Sequence, residues 1–348
     1  MAGRRAGFER ILVHGLPSDV ALDGTRADRL GASETCPTRA PCRVVLVPSN
    51  LVPQPDWLRS LRETPVEPDT LYVDGSMAAL VETEEPEPVL AAARRTGSAR
   101  ELVAALRKRF SESDWRFDPA GRFPLAAPQD LPAAERWLLR SLIKPSEGFM
   151  SRHLERRISL ALTRRLVSTR MTPNAMTLVS VAIGLLGAPC FLSANPLIQL
   201  VGALLFLSHS ILDGCDGELA RLKFLESRHG ALLDFWGDNI VHIAVFGAMA
   251  IGWSFDQGQA WPLLVGAVAV ASTLGAATIL SRRSVEPQDP IARRSWSARL
   301  TDALAHRDFI YLIVLLAALG RAWWFLILVA IGTPLFVLLC LVAGARRG

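Results

Sequence analysis

Between Asp213 and Asp238 the chain places four aspartates beside apolar runs. The stretch reads Asp213-Gly-Cys-Asp216-Gly217-Glu-Leu-Ala220-Arg221, then eight residues, Gly230, three residues, Asp234, three residues and Asp238. PLIQLVGALLFLSHSIL (Pro196 to Leu212) precedes it and NIVHIAVFGAMAIGW (Asn239 to Trp253) follows it. Each half therefore reads as one end of a membrane-spanning helix that carries carboxylates. Residues three and four apart share a helix face. Asp213, Asp216, Gly217, Ala220 and Arg221 form one stripe, and Gly230, Asp234 and Asp238 form another. A tight turn between the helices lets the stripes face each other, so that four carboxylates converge beside glycine and alanine. Each charge at membrane depth costs roughly 2.5–3.5 kcal/mol on insertion scales, so a cluster reads as functional. Converging carboxylates repel unless a cation sits between them. Hard oxygen ligands suit Mg²⁺ or Mn²⁺, and a site for two such ions suits displacement at phosphorus.

The elements that must hold these groups are membrane helices. Of the 348 residues, 50% are hydrophobic, concentrated after position 174, whereas the first part is charged and proline-rich. That size allows two domains. Six spans are expected, at about 174–194, 196–220, 229–253, 259–281, 308–320 and 322–345. The fifth is short for the roughly 20 residues a bilayer requires. Arg164, Arg165, Arg170, Arg221, Lys223, Arg228, Arg282, Arg283, Arg293, Arg294, Arg299, Arg307, Arg346 and Arg347 all fall on one side of this arrangement. The positive-inside rule puts that side, with the aspartates and the N-terminal domain, in the cytoplasm of a cell (inner) membrane. Trp253, Trp261, Trp323 and Trp324 then gather at the opposite interface as an aromatic belt.

The aspartate stretch resembles the signature of the CDP-alcohol phosphotransferase family, D-x2-D-G-x2-A-R-x8-G-x3-D-x3-D. Every fixed position is matched, by Asp213, Asp216, Gly217, Ala220, Arg221, Gly230, Asp234 and Asp238. The resemblance implies transfer of a substituted phosphate from a CDP-alcohol to an acceptor alcohol, with release of CMP. It implies Asp213, Asp216 and Asp234 as ligands of Mg²⁺ or Mn²⁺, two ions in all. Asp238 is the implied general base and touches the second ion. Gly217 and Ala220 leave the helix face bare for cytidine, Gly230 permits close helix packing at the nucleotide pocket, and Arg221 either contacts the phosphates or pairs with a carboxylate. Thr172-Pro173-Asn174 resembles the T-P-N that borders the pocket in this family; Thr172 can equally cap the helix that Pro173 opens. Arg282, Arg283 and Arg307 suit a phosphorylated acceptor or serve only as membrane anchors. His242 handles a proton or is a buried, hydrogen-bonded histidine; Trp236 stacks on substrate or packs. A homodimer in the lipid bilayer is what the family implies.

The first expected donor is CDP-diacylglycerol, in phospholipid biosynthesis. The alternative, CDP-inositol with inositol phosphate as acceptor, follows from the N-terminal domain combined with SRHLERRISLALTRRL. A polyprenyl-type transferase would need a D-D-x-x-D pattern, which the sequence lacks. A membrane transporter would place acids midway through its spans rather than at one face. No nucleic-acid partner is expected.

Residues 1–130 read as a small soluble α/β domain. Its candidate elements are a strand and turn over Arg43–Val52, a helix over Pro55–Glu63, a strand over Thr70–Gly75 and a helix over Ser98–Phe110 with Ser98 and Glu101 as a capping box. It resembles nucleotidyltransferase-like domains fused to some family members, but has no Gly-rich phosphate loop, so it is expected to be non-catalytic. Residues 131–170 form a linker with one amphipathic helix over Pro132–Val167 that lies in the membrane interface, and 171–348 form the six-helix membrane domain. The five cysteines form no metal-type pair, so a reduced compartment is expected, and no apolar segment marks a cleavable signal peptide.

Overall fold

The computed structural model describes residues 1–17, 20, 22, 25, 27–31, 41–115, 117–143, 151–285 and 310–345, except the side chains of 152, 280–285, 339, 340 and 342–345. Contacts divide the chain into two compact units, Met1–Arg140 and Ser141–Gly348.

In the first unit, α1 (Ala2–Arg5) precedes a parallel pair of short strands, β1 (Leu12–Val13) and β2 (Asp28–Arg29). The main sheet comprises β3 (Cys42–Leu46), β5 (Thr70–Val73), β6 (Ala79–Thr83) and β7 (Ser111–Asp114), in the order β3-β6-β5-β7. Only the β5–β7 pair is parallel. All four residues of β5 are buried, because helices cover both faces. Tyr72 points to α2 (Pro55–Glu63), joining Trp57, Leu58 and Leu61. Leu71 and Val73 point the other way, to Val89 of α3 (Glu87–Arg95) and to Val103 and Leu106 of α4 (Ala99–Leu106). The sequence reading of Arg43–Val52 resolves into β3 and a separate strand, β4 (Leu51–Pro53), which pairs with β8 (Arg122–Pro124). Ser98 does cap α4, accepting from the Glu101 amide at 3.2 Å, while Glu101 reaches back to the Gly97 amide at 3.0 Å.

The single helix expected over Pro132–Val167 is two. The first, α5 (Leu131–Ser141), belongs almost entirely to the first unit. The second, α6 (Arg156–Leu166), follows a π-helical turn over Ser151–Glu155. Pro145, which has no amide to donate, stands between them in the sequence.

The second unit is helical: α7 (Pro173–Gly187), α8 (Pro196–Lys223), α9 (Arg228–Gln257), α10 (Trp261–Val285), α11 (Ile310–Ala318) and α12 (Trp323–Ala345). Among the described residues, four segments are long and apolar enough to cross a membrane: Pro173–Leu192, Pro196–Lys223, Arg228–Gln257 and Trp261–Ile279. Of the fifth expected span, 308–320, the described residues begin at 310 and hold α11. In α12 the fully described part is Trp323–Leu338, with Pro334 inside the helix.

At 28 and 30 residues, α8 and α9 are about 42 and 45 Å long at 1.5 Å per residue. That exceeds a hydrocarbon core of about 30 Å, so their linked ends can reach the interface. The core between the helices contains Phe191, Phe206, Val241, Phe246, Ile313 and Phe325. Small residues let backbones approach. A Cβ at Gly202 would come to 2.8 Å from the Gly187 carbonyl, so those two helical segments can meet only where both lack side chains. Trp253 contacts Trp261 and Trp323, at 4.5 and 5.0 Å between ring centroids, and Trp323 stacks on Trp324 at 4.9 Å. The four tryptophans thus form one continuous group.

Candidate functional site

The turn between α8 and α9 brings the two stripes together. Phe224 closes α8 in the left-handed region at φ 55°, a common helix ending. Three residues later Ser227 caps α9 by accepting from the Gly230 amide at 3.0 Å. The chain reverses within that short link, and the last three turns of α8 face the first three of α9.

Asp213, Asp216 and Asp234 converge there, with an oxygen of each within 4.8 Å of the others. Asp213 and Asp216 are buried and Asp234 is half-buried. Three anionic oxygen donors at such spacing match the donor set that Mg²⁺ or Mn²⁺ takes. Asp238, one turn further along α9, stands outside that trio. Its Oδ1 lies 3.3 Å from Nε2 of His209, a buried α8 residue one turn before Asp213.

The remaining motif residues surround this trio. Arg221 folds back over Gly217, its Nη1 only 3.3 Å from where a Cβ on Gly217 would lie. The Oδ1 of Asn174 is 3.0 Å from the corresponding point on Gly230, so the Asn174 side chain in the first turn of α7 reaches α9 where Gly230 carries none. Thr172 caps α7, accepting from the Ala175 amide at 3.2 Å. Lys223 fixes the approach to α7 by donating to the carbonyls of Thr169 and Met171, both at 2.8 Å. Ala220 is half-buried on the aspartate stripe. His242 Nδ1 sits 2.7 Å from the Asp238 carbonyl, with its ring packed against Phe206 and Phe246. Trp236 is 55% exposed. Arg282 and Arg283 lie in the last turn of α10 with side chains outside the described residues, and Arg307 lies outside them altogether.

Two polar partners of the aspartates escaped the sequence reading. Thr177 Oγ1, one turn into α7, donates to Asp216 Oδ2 and so orients that carboxylate. His209 shares the Asp213–Asp216 stripe at i−4, a spacing that would have pointed to it. Thr177 carried no comparable signal, because its partner is 39 residues away.

Comparison with known proteins places this geometry in context. Residues 170–335 match the model of the CDP-alcohol phosphatidyltransferase family. Among curated relatives is the "Bifunctional IPC transferase and DIPP synthase" of Thermococcus kodakarensis, 39% identical over 118 residues, which are 34% of this chain and 26% of the relative. Another is the "CDP-diacylglycerol--serine O-phosphatidyltransferase" of Mycobacterium bovis, 29% identical over 99 residues, 26% of this chain and 34% of the relative. The chain thus spans about a quarter to a third of the length of these relatives. A solved structure of Mycobacterium tuberculosis phosphatidylinositol phosphate synthase with CDP-DAG bound aligns with 19% identity and a TM-score of 0.39, over 55% of this chain and 92% of that one.

Proposed function

The helical part of this chain, residues 170–335, belongs to the CDP-alcohol phosphatidyltransferase family, a family of enzymes, and on that premise we propose that it transfers a substituted phosphate from a CDP-alcohol to an acceptor hydroxyl. The observation that carries this reading is the convergence of Asp213, Asp216 and Asp234 within 4.8 Å at the linked ends of two long apolar helices. Asp213, Asp216 and Asp234 would hold Mg²⁺ or Mn²⁺, with Asp238 beside a second ion; the metal supplies charge neutralisation at the phosphates. Gly217, Ala220 and Gly230 leave room for cytidine, next to Thr172 and Asn174, and Arg221 faces the diphosphate. Asp238 takes the proton of the acceptor hydroxyl. The acceptor oxygen bonds to the phosphorus nearer the alcohol, the bridging P–O bond breaks, and CMP leaves with the bridging oxygen. Arg282, Arg283 and Arg307 are proposed contacts for a phosphorylated acceptor.

For the alcohol, we favour the inositol branch, CDP-inositol with inositol phosphate. The 39% identical relative with DIPP synthase in its name supports it, as does the arginine-rich segment before α7. CDP-diacylglycerol is the second reading, supported by the serine phosphatidyltransferase relative. The first unit is read as a non-catalytic nucleotidyltransferase-like domain on 1–130, joined by 131–170 to the membrane domain on 171–348. A homodimer in the cell membrane, with the carboxylates facing the cytoplasm, completes the proposal.

CMP release by the purified chain, with Mg²⁺ or Mn²⁺ and each donor offered separately with a panel of acceptors, tests it. Release with CDP-inositol is expected; release only with CDP-diacylglycerol would move the protein to phospholipid synthesis. Silence with both donors, in protein that binds metal, would overturn both donor assignments.

A further inference from the structure

Glu218 is a carboxylate that the proposed transfer does not use. It occupies a variable position of the motif, two residues after Asp216, and its side chain is completely buried. Arg156 Nη1 donates to its Oε1 at 2.6 Å, Ser159 Oγ to the same oxygen at 2.7 Å, and Thr163 Oγ1 to Oε2 at 2.7 Å. All three donors lie on α6 at steps of three and four and therefore form one stripe. Ser159 and Thr163 are themselves buried, at 1% and 0% exposure. Leu162 and Leu166 flank the polar stripe and pack on Cys215 and Leu219 of α8 and on Met176 of α7. Within the segment expected to lie in the interface, α6 is keyed to α8.

The position of the key matters. With 3.6 residues per turn, Glu218 lies roughly 140–160° around α8 from Asp213 and Asp216. Arg156 also lies close to Gly214, its Nη1 3.1 Å from where a Cβ would stand. So α6 grips the back of the same two turns whose front presents the carboxylates. A buried ion pair is a weak source of net stability, since apolar residues of equal volume often do as well. Its strength is specificity. Leucines tolerate a small slide or rotation of one helix on another, whereas a displaced Glu218 would leave a buried charge and three donors unmatched.

We propose that Glu218 is a positioning residue: clamped by Arg156, Ser159 and Thr163, it fixes the rotation and height of α8 so that Asp213 and Asp216 meet Asp234 around the cation. The inference rests on the reading of that trio as a cation site.

The test uses the full chain in lipid nanodiscs, with Mn²⁺ titrated by electron paramagnetic resonance and thermal melts run on the same samples. Ser159→Ala and Thr163→Val each remove one hydrogen bond while keeping shape, so both variants should fold. Together they are expected to weaken Mn²⁺ binding about tenfold, at the low end of what lost outer-shell partners cost. Thr163→Ser, which restores the hydroxyl, should bind Mn²⁺ like the original protein. A lowered melting temperature with unchanged Mn²⁺ affinity would reduce the clamp to ordinary packing and overturn the inference. An original protein that binds no Mn²⁺, and is matched by Asp216→Asn, would instead remove the cation site itself and the role of Glu218 with it.

Discussion

The two units treat their carboxylates in opposite ways. In the first, acids meet arginines: Arg43 with Glu82, Arg94 with Glu87, Arg109 with Glu85, and, almost out of solvent, Arg122 with Asp74. In the second, Asp213, Asp216 and Asp234 meet one another. Two like charges about 4.8 Å apart repel by roughly 3–4 kcal/mol at an effective dielectric of about 20. Opposite charges in contact explain themselves as architecture. Like charges in contact must be relieved by a shared proton or by a partner from outside, and on the proposed reading that partner is a cation. Glu218 sharpens the distinction, because it sits on the same helix as the trio yet is satisfied as the acids of the first unit are.

The largest effect should come from removing one member of the trio. Asp213→Asn or Asp216→Asn is expected to lose Mn²⁺ and nucleotide binding together, and CMP release with them. Asp238→Asn should keep nucleotide binding and lose turnover by about 10³-fold, within the range general-base catalysis supplies. Calorimetric titration beside a CMP assay separates the two. Equal residual activity and equal binding in Asp213→Asn and Asp238→Asn would erase this division of roles.

Cutting a pair in the first unit should do the reverse. Arg122→Met leaves the buried Asp74 carboxylate without its counter-ion, although Ser76 still donates to Asp74 from its amide and hydroxyl, at 2.9 and 2.5 Å. The expected cost is about 3 kcal/mol in the stability of that unit, visible as faster hydrogen exchange in β5 and β8. CMP release per folded molecule should not change. If it fell as far as in Asp238→Asn, the contrast between architectural and functional acids would collapse.

A smaller effect probes geometry rather than charge. A Cβ on Gly237 would fall 2.6 Å from Val181 Cγ2, so Gly237→Ala must turn the Val181 side chain out of its place or push α9 off α7. Overpacking of this kind costs about 1–3 kcal/mol. Because Asp234 and Asp238 ride on α9, Mn²⁺ affinity should fall along with the melting temperature. Gly247→Ala, with nothing within 4 Å of the added carbon, should leave both nearly unchanged.

The trio was legible in the sequence because its information is local: spacing of three and four fixes a face, and a four-residue link reverses the chain. The Thr172 and Ser98 caps were legible for the same reason. What the sequence did not reveal is held by partners far apart in the chain. Arg156, Ser159 and Thr163 find Glu218 across 62, 59 and 55 residues, and on α6 alone they read as the polar face of an interfacial helix. The amphipathic pattern over Pro132–Val167 runs on through Pro145, which hid the division into α5 and α6. Six apolar runs were equally visible, and among the described residues four of them form helices long and apolar enough to span a membrane.

The smallest effect asks whether a cap is also a ligand. Thr172 and Asn195 both cap apolar helices, accepting from backbone amides at 3.2 and 2.9 Å. Thr172 opens α7 beside the carboxylates, whereas Asn195 opens α8 at the end away from them. Replacing either by alanine should cost about 1 kcal/mol, the usual value of an N-cap, so the two variants should melt alike. They should differ in KM for the CDP-alcohol. Thr172→Ala is expected to raise it, because the cap places Asn174 against Gly230 at the edge of the proposed nucleotide pocket, while Asn195→Ala leaves it unchanged. Parallel KM values in the two variants would mean that Thr172 serves the helix and nothing else, and the T-P-N segment would then join the arginine-paired acids as architecture.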